Sequence, residues 1–152
     1  MTPILIALSN WLHALATVIF IGYFVLLALI CLPALGTNGL ALSEISKRSR
    51  AWMYAALLVF IVTGIYLMLV NPNYLGIGNF GNFWGVMMLV KHLLVAGMIA
   101  MGFWFNAILR VGPLMNSNTG AALAISRFRW YVNAMAICGV LVLLLTALAQ
   151  AQ

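Results

Sequence analysis

Four long apolar stretches alternate with short polar segments along the chain. The stretches cover about residues 4–32, 52–70, 83–109 and 130–149. A helix needs about 20 apolar residues to cross the hydrocarbon core of a bilayer, and each stretch meets that requirement. None of them shows the alternation of apolar and polar residues that is typical of a membrane strand. The pattern therefore predicts an all-α membrane protein with four transmembrane helices.

The segments between the stretches are short, so we expect consecutive helices to be antiparallel neighbours in an up-and-down four-helix transmembrane bundle. No repeat, linker or low-complexity tract divides the chain, and residues 1–152 are predicted to form one domain. The first stretch follows no basic residue and is about twice as long as the apolar region of a signal peptide. We therefore expect it to be a retained membrane helix.

The composition supports the assignment to the membrane. Of 152 residues, 66% are hydrophobic, and the charged residues are seven Lys or Arg and one acid. A soluble domain carries roughly a quarter charged residues, so an ordinary soluble globule is excluded. The single acid also excludes any mechanism that requires two carboxylates.

The basic residues lie mainly at two of the three connections. Six of the seven flank the first and third connections: Lys47, Arg48, Arg50, Arg110, Arg127 and Arg129. The middle connection, residues 71–82, carries no charge. Positively charged loops remain in the cytoplasm, so we expect the middle connection and both termini to lie outside it, in a bacterial inner membrane. The same distribution explains the net charge of +6 without a nucleic-acid partner.

One charge remains inside a membrane stretch. Lys91 lies in the third stretch beside His92, and the other histidine, His13, lies in the first. Ionisable residues within a span are costly and usually face the bundle interior, which makes them candidates for function. Counted from the outer ends of their helices, all three lie roughly 12–14 Å below the outer boundary. They therefore form a candidate site in the outer half of the membrane.

Three chemical interpretations of this layer stay open. Imidazole groups with the thioether of Met88 are a plausible ligand set for Cu(I). Alternatively, His13 and His92 on facing helices hold the iron of haem b, for which axial histidine is common. In the third interpretation, His13 is a packing residue and Lys91 extends toward the outer surface. Lys91 and His92 differ by about 100° around the helix, so both cannot point along the bundle axis.

Short motifs stand at defined places in the four stretches. They are Trp11-Leu12-His13, Gly22 and Pro33 in the first, Thr63-Gly64 in the second, Gly85, Lys91 and Asn106 in the third, and Ser126-Arg127-Phe128-Arg129 before the fourth. In this order they resemble the copper resistance D (CopD) domain family of four-helix membrane proteins. The resemblance implies copper transport or homeostasis, a periplasmic copper-binding partner, and functional roles for His13 and Lys91.

The outline is also similar to that of the HemJ-type protoporphyrinogen oxidases. These are four-helix proteins with a histidine in the first helix and a lysine in the third, and they are associated with haem. This resemblance implies a haem-dependent membrane oxidoreductase. Where that family has a Pro-Arg-Leu-Phe segment after its first helix, this chain has Leu32-Pro33-Ala34-Leu35.

The leading prediction is a CopD-like membrane protein of copper homeostasis, with a cofactor site at His13, Lys91 and His92 and metal ligands at His13, His92 and Met88. The cofactor is left open between copper and haem b. The first alternative is a protein that binds haem b for electron transfer or for HemJ-like oxidation. We expect the protein to be an enzyme only if it is such a haem-dependent oxidoreductase. Under the second, it is a small accessory subunit of a larger membrane complex. The expected partners are lipid, a periplasmic copper protein, such a complex, or a second copy of the chain.

Overall fold

The computed structural model describes residues 3–36, 38–74, 76, 82–105 and 121–151. All regular structure within these residues is helical, and none of them lies in a strand. Four helices are long and apolar enough to cross a membrane. The predictions of an all-α protein and of four potential membrane helices are therefore confirmed for the described part of the chain.

The first helix, α1, spans Pro3–Leu26 and continues through a π-helical segment, Leu27–Cys31, into a short turn of α-helix, Leu32–Leu35. The wider π-helical turn has a local cause. Pro33 lacks the N–H group that would bond the carbonyl group four residues earlier, and its ring crowds that carbonyl. The helix ends at Gly36, whose φ of 55° lies in the left-handed region that favours glycine.

The other three helices are α2, Gly39–Leu69, α3, Phe83–Phe103, and α4, Ala121–Gln150. Helices α2 and α4 begin well before the predicted spans at residues 52 and 130. The basic residues that follow the first and third connections therefore lie on helices rather than in loops. Two residues named in the sequence analysis, Asn106 and Arg110, lie outside the described residues.

Asparagine side chains cap the beginnings of α2 and α3. Asn38 accepts a hydrogen bond from the main-chain N–H of Ala41 at 3.1 Å. Asn82 accepts one from Gly85 at 2.7 Å and donates its own amide to the carbonyl oxygen of Asn73 at 2.9 Å. These bonds satisfy main-chain donors that a helix start leaves free. The bond from Asn82 to Asn73 also attaches the beginning of α3 to the start of the middle connection.

The helices pack unequally. Helix α1 contacts α2 and α4 extensively, and α3 contacts α4, whereas direct contact between α2 and α3 is sparse among the described residues. The α1–α4 contact depends on Gly139, because a Cβ atom there would lie 2.7 Å from Cγ2 of Ile21. The buried core therefore follows α1 and α4, and the space between α2 and α3 is left for cavities.

Large apolar side chains are exposed along all four helices. Examples are Val18, Leu58, Leu93 and Ile137, each more than half exposed. Soluble monomers rarely expose continuous apolar surface of this extent. The exposed surface therefore suits contact with the hydrocarbon interior of a bilayer.

Candidate intramembrane site

A cavity of about 670 Å³ lies between the helices in the half of the bundle that contains the middle connection. Its lining includes all four residues predicted from the sequence: His13, Met88, Lys91 and His92. All four helices contribute, since α2 supplies residues between Phe60 and Met68, and α4 supplies its last turns. We call this space the site cavity. Lys91 and His92 both line it, although His92 is the more exposed of the two.

His13 is held by α2. Its Nδ1 lies 2.9 Å from the hydroxyl oxygen of Thr63, and that hydroxyl donates its proton to the carbonyl oxygen of Val59 at 2.6 Å. Because a hydroxyl has only one proton, Thr63 must accept from the imidazole, and Nδ1 of His13 carries the hydrogen. The Nε2 atom is then left with a lone pair. The ring also stacks on Phe60, with 4.7 Å between ring centroids.

Gly64 provides room for this imidazole. A Cβ atom at position 64 would lie 3.1 Å from Cε1 of His13 and 3.7 Å from its Nδ1. A distance of 3.1 Å is tighter than an ordinary van der Waals contact. The Thr63-Gly64 pair therefore does two things for His13, because Thr63 binds the ring and Gly64 lets it approach α2.

His92 has the same protonation pattern with a different partner. Its Nδ1 lies 2.6 Å from the carbonyl oxygen of Met88, one turn earlier on α3. A carbonyl oxygen can only accept, so Nδ1 donates, and in the neutral imidazole Nε2 has the lone pair. Histidines that bind metals are commonly oriented by such a bond at the second ring nitrogen. Both histidines of the chain thus have Nε2 available as a ligand atom.

Lys91 is the only charged residue among those lining the site cavity in the described part of the chain. It is half-buried and has no hydrogen-bond or ion-pair partner among the described residues. The single acid of the chain, Glu44, accepts a hydrogen bond from Arg48 at 2.7 Å, one turn away on α2. Glu44 is thus engaged with Arg48, and no other side chain of this protein has a carboxylate that could neutralise Lys91.

Sulfur atoms also lie at the site cavity. Met88 of α3 and Met68 of α2 line it, both half-buried, whereas Met87 does not. No group of three or more His, Cys, Asp or Glu residues comes together within the described ranges. A metal ion here would therefore rely on the two imidazoles together with thioether sulfur or with a ligand from outside the protein.

The sequence analysis named Thr63-Gly64 only as part of a family motif and did not place it at the site, and it missed Phe60 and Thr146. Phe60 and Thr63 contact His13 directly, and Thr146 of α4 lines the cavity. Their signal in the sequence is weak, because apolar and hydroxyl residues are common in membrane helices. Only the relative register of the helices brings them to the histidines.

Comparisons of this chain with family models, with curated proteins and with solved structures gave no match. The resemblances to the CopD and HemJ families therefore stay predictions.

Proposed function

We propose that this protein is a multi-pass membrane protein that binds haem b in the site cavity and transfers electrons within the membrane. The observation that carries the proposal is Lys91, a basic residue that lines the site cavity and has no acidic partner among the described residues. A ligand for this cavity should therefore bring negative charge. Haem b carries two carboxylates, whereas a Cu(I) ion would add a second positive charge.

The size and lining of the site cavity support the same ligand. A volume of about 670 Å³ lies within the range of small-molecule sites, roughly 300–1,000 Å³, and far exceeds the space that a single ion needs. Apolar side chains of four helices surround it. The cavity is partly open to the surface of the bundle, so a ligand can enter it.

His13 and His92 are the residues that would hold the iron. Each offers Nε2, and each has its ring fixed by a hydrogen bond at Nδ1. Lys91 would bind a carboxylate, and Phe60 limits the rotation of the His13 ring. When bound, haem supplies one-electron chemistry at its iron.

A copper site is the second candidate, in agreement with the CopD resemblance. Met88 and Met68 line the same cavity as both histidines, and thioether with imidazole is a soft ligand set that selects Cu(I). In this alternative Lys91 acts as a neutral donor, since a buried lysine can lose its proton when it is desolvated.

The arrangement in the membrane belongs to the same proposal. Contact of His13 with Thr63 and of Tyr23 with Ser49 supports antiparallel packing of α1 and α2, because residue numbers rise on one helix as they fall on the other. The six basic residues support a cytoplasmic location for the first and third connections. Both termini then lie outside the cytoplasm of a bacterial cell.

Optical and metal analysis of the protein purified from haem-replete cells tests the proposal. We expect a Soret band that shifts on reduction and that is lost or displaced by His13→Ala and His92→Ala. Lys91→Met should reduce haem retention about tenfold, and Lys91→Arg should restore most of it, because only the charge is needed. A colourless protein with no bound haem would overturn the proposal.

A pair of adjacent methionines separates the copper alternative from the haem proposal. Met88→Leu removes a sulfur atom from the cavity, and Met87→Leu is the matched control because Met87 does not line it. Copper binding predicts loss of bound Cu(I) in Met88→Leu only. Haem binding predicts an unchanged Soret band in both variants.

A further inference from the structure

A second cavity, of about 250 Å³, lies beside the site cavity and nearer the basic end of the bundle. The two cavities share Ile99. On α2, residues 46–57 line the second cavity, whereas the residues that line the site cavity begin at Phe60. Its walls are mainly aromatic and thioether side chains: Phe20, Phe24, Phe105, Tyr131, Met98 and Met135. Apart from Ile99, no residue that lines the second cavity also lines the site cavity.

Arg50 stands at this cavity as its one charged lining residue in the described part of the chain. Its side chain is exposed and has no hydrogen-bond or ion-pair partner among the described residues. Neighbouring arginines differ, because Arg48 is paired with Glu44 and Arg129 donates to the carbonyl oxygen of Leu32. Among the described residues, no side chain or carbonyl group occupies the guanidinium of Arg50, which leaves it to bind a ligand.

The surroundings of Arg50 indicate the kind of ligand. Four further basic residues lie at the same end of the bundle: Lys47, Arg48, Arg127 and Arg129. Basic clusters next to membrane helices attract anionic lipid headgroups. Because contact between α2 and α3 is sparse, the apolar cavity behind Arg50 lies where a lipid chain can reach it from the bilayer.

We propose that the second cavity is a binding site for one anionic phospholipid. The guanidinium of Arg50 binds the phosphate, for which its planar fork of donors is suited. One acyl chain lies among the aromatic side chains that line the cavity. The basic cluster selects a headgroup without a compensating cation, because a quaternary ammonium group would be repelled there.

Photocrosslinking of the unmodified chain tests this proposal directly. The protein is reconstituted in vesicles with phosphatidylglycerol that carries a photoreactive group in the middle of an acyl chain. We expect labelling of cavity residues such as Met53 and Met98, with competition by unlabelled phosphatidylglycerol but not by phosphatidylcholine. Labelling confined to outward-facing residues such as Trp52, or equal competition by both lipids, would overturn it.

Two charge variants show whether Arg50 acts specifically. Arg50→Gln should lower phosphatidylglycerol binding about fivefold, as expected for the loss of one basic residue near the membrane surface. Lys47→Gln is the matched control, since Lys47 is exposed on the preceding turn of α2 and does not line the cavity. Equal losses in both variants would show diffuse attraction to the basic end and would contradict a site.

A third variant tests the cavity itself. A Cβ atom at Gly102 would lie 3.5 Å from the hydroxyl of Tyr131, so the side chain of Gly102→Leu would extend into the second cavity. We expect it to reduce phosphatidylglycerol binding with every basic residue retained. If this variant does not fold, the crosslinking pattern of the unmodified chain decides.

Competition by free oleate and by glycerophosphate tests whether the cavity binds a whole phospholipid or only one part of it. A phospholipid site predicts that neither competes well, because each lacks half of the ligand. Competition by oleate as strong as that by phosphatidylglycerol would assign the cavity to a free fatty acid and reject the phospholipid.

Discussion

At the scale of single residues, the two histidines share one arrangement although they lie on different helices. Both donate a hydrogen bond from Nδ1, which in the neutral imidazole leaves a lone pair on Nε2. The sequence predicts a common depth for them from the residue count along each helix, and in the structure both line the site cavity. Thr63 could not be predicted as the partner of His13, because that contact depends on the register between helices.

Thr63→Val tests the hydrogen bond to His13. It removes the acceptor of the imidazole N–H at little change in shape, and we expect the free energy of unfolding to fall by about 1 kcal/mol. Haem retention should fall as well, because the ring is no longer fixed. Thermal unfolding in detergent and the absorption spectrum measure the two effects.

Thr146→Val is the control for this variant. Its hydroxyl also donates to the carbonyl oxygen four residues earlier, that of Val142 at 2.8 Å, but contacts no histidine in the described structure. Because Thr146 lines the site cavity but contacts neither histidine, its substitution should change the spectrum less than Thr63→Val does. An equal spectral loss in both variants would contradict a specific role for Thr63.

Gly64→Ala tests the space beside the same ring. The added Cβ would stand 3.1 Å from Cε1 of His13, so the imidazole has to move by a few tenths of an ångström. We expect a shifted Soret band and weaker haem retention. Gly97→Ala is the control, since no atom lies within 4 Å of its Cβ position, and helix propensity should make it neutral or stabilising. The same spectrum in both variants would argue against the contact.

At the scale of elements, helix boundaries and membrane boundaries differ. Hydropathy marks the apolar part of a helix, whereas Lys, Arg and Ala continue a helix well in water. For this reason the starts of α2 at Gly39 and of α4 at Ala121 were not predicted. The Glu44–Arg48 pair, four residues apart, is a local sign that the charged segment is helical. The apolar stretches themselves predicted all four helices, because only helices satisfy the backbone of such segments in lipid.

Gly139→Ala tests the close approach of α1 and α4. The new methyl group would lie 2.7 Å from Cγ2 of Ile21, so either the Ile21 side chain or one of the two helices has to shift. We expect a destabilisation of about 1–3 kcal/mol, measured by unfolding in detergent. In the background of Ile21→Ala the cost should be much smaller, because the opposing atom is absent. Gly22→Ala, with no atom within 4 Å of its Cβ position, is the control.

At the scale of the whole molecule, α1 and α4 form the continuous packed part, and the sparse α2–α3 contact leaves room for both cavities. The unequal packing of the four helices could not be predicted from the sequence, because all four stretches are similarly apolar. Whether residues of all four helices meet at one cavity depends on how α2 and α3 pack against α1 and α4. The predicted layer of His13, Lys91 and His92 nevertheless lines one space in the structure.

Labelling of single cysteines tests the proposed orientation. After replacement of Cys31 and Cys138 by Ala, Asn73→Cys in the middle connection should react with a membrane-impermeant maleimide on intact cells. Lys47→Cys, at the opposite end of α2, should react only after permeabilisation. Both positions are exposed, so access by the reagent decides the result. The reverse pattern would invert the orientation.

Lys91, which has no ion-pair partner in the described part of the chain, would also connect the site cavity to the membrane potential. With the proposed orientation, Lys91 would lie roughly 12–14 Å below the outer boundary of a core about 30 Å thick, and so across nearly half of the electric field. One elementary charge that crosses the whole field changes its energy by about 2.3 kcal/mol per 100 mV. Each negative charge that a ligand brings to Lys91 from outside would then cost about 1 kcal/mol for every 100 mV of interior-negative potential. Occupancy of the site in a living cell would therefore follow the energised state of its membrane.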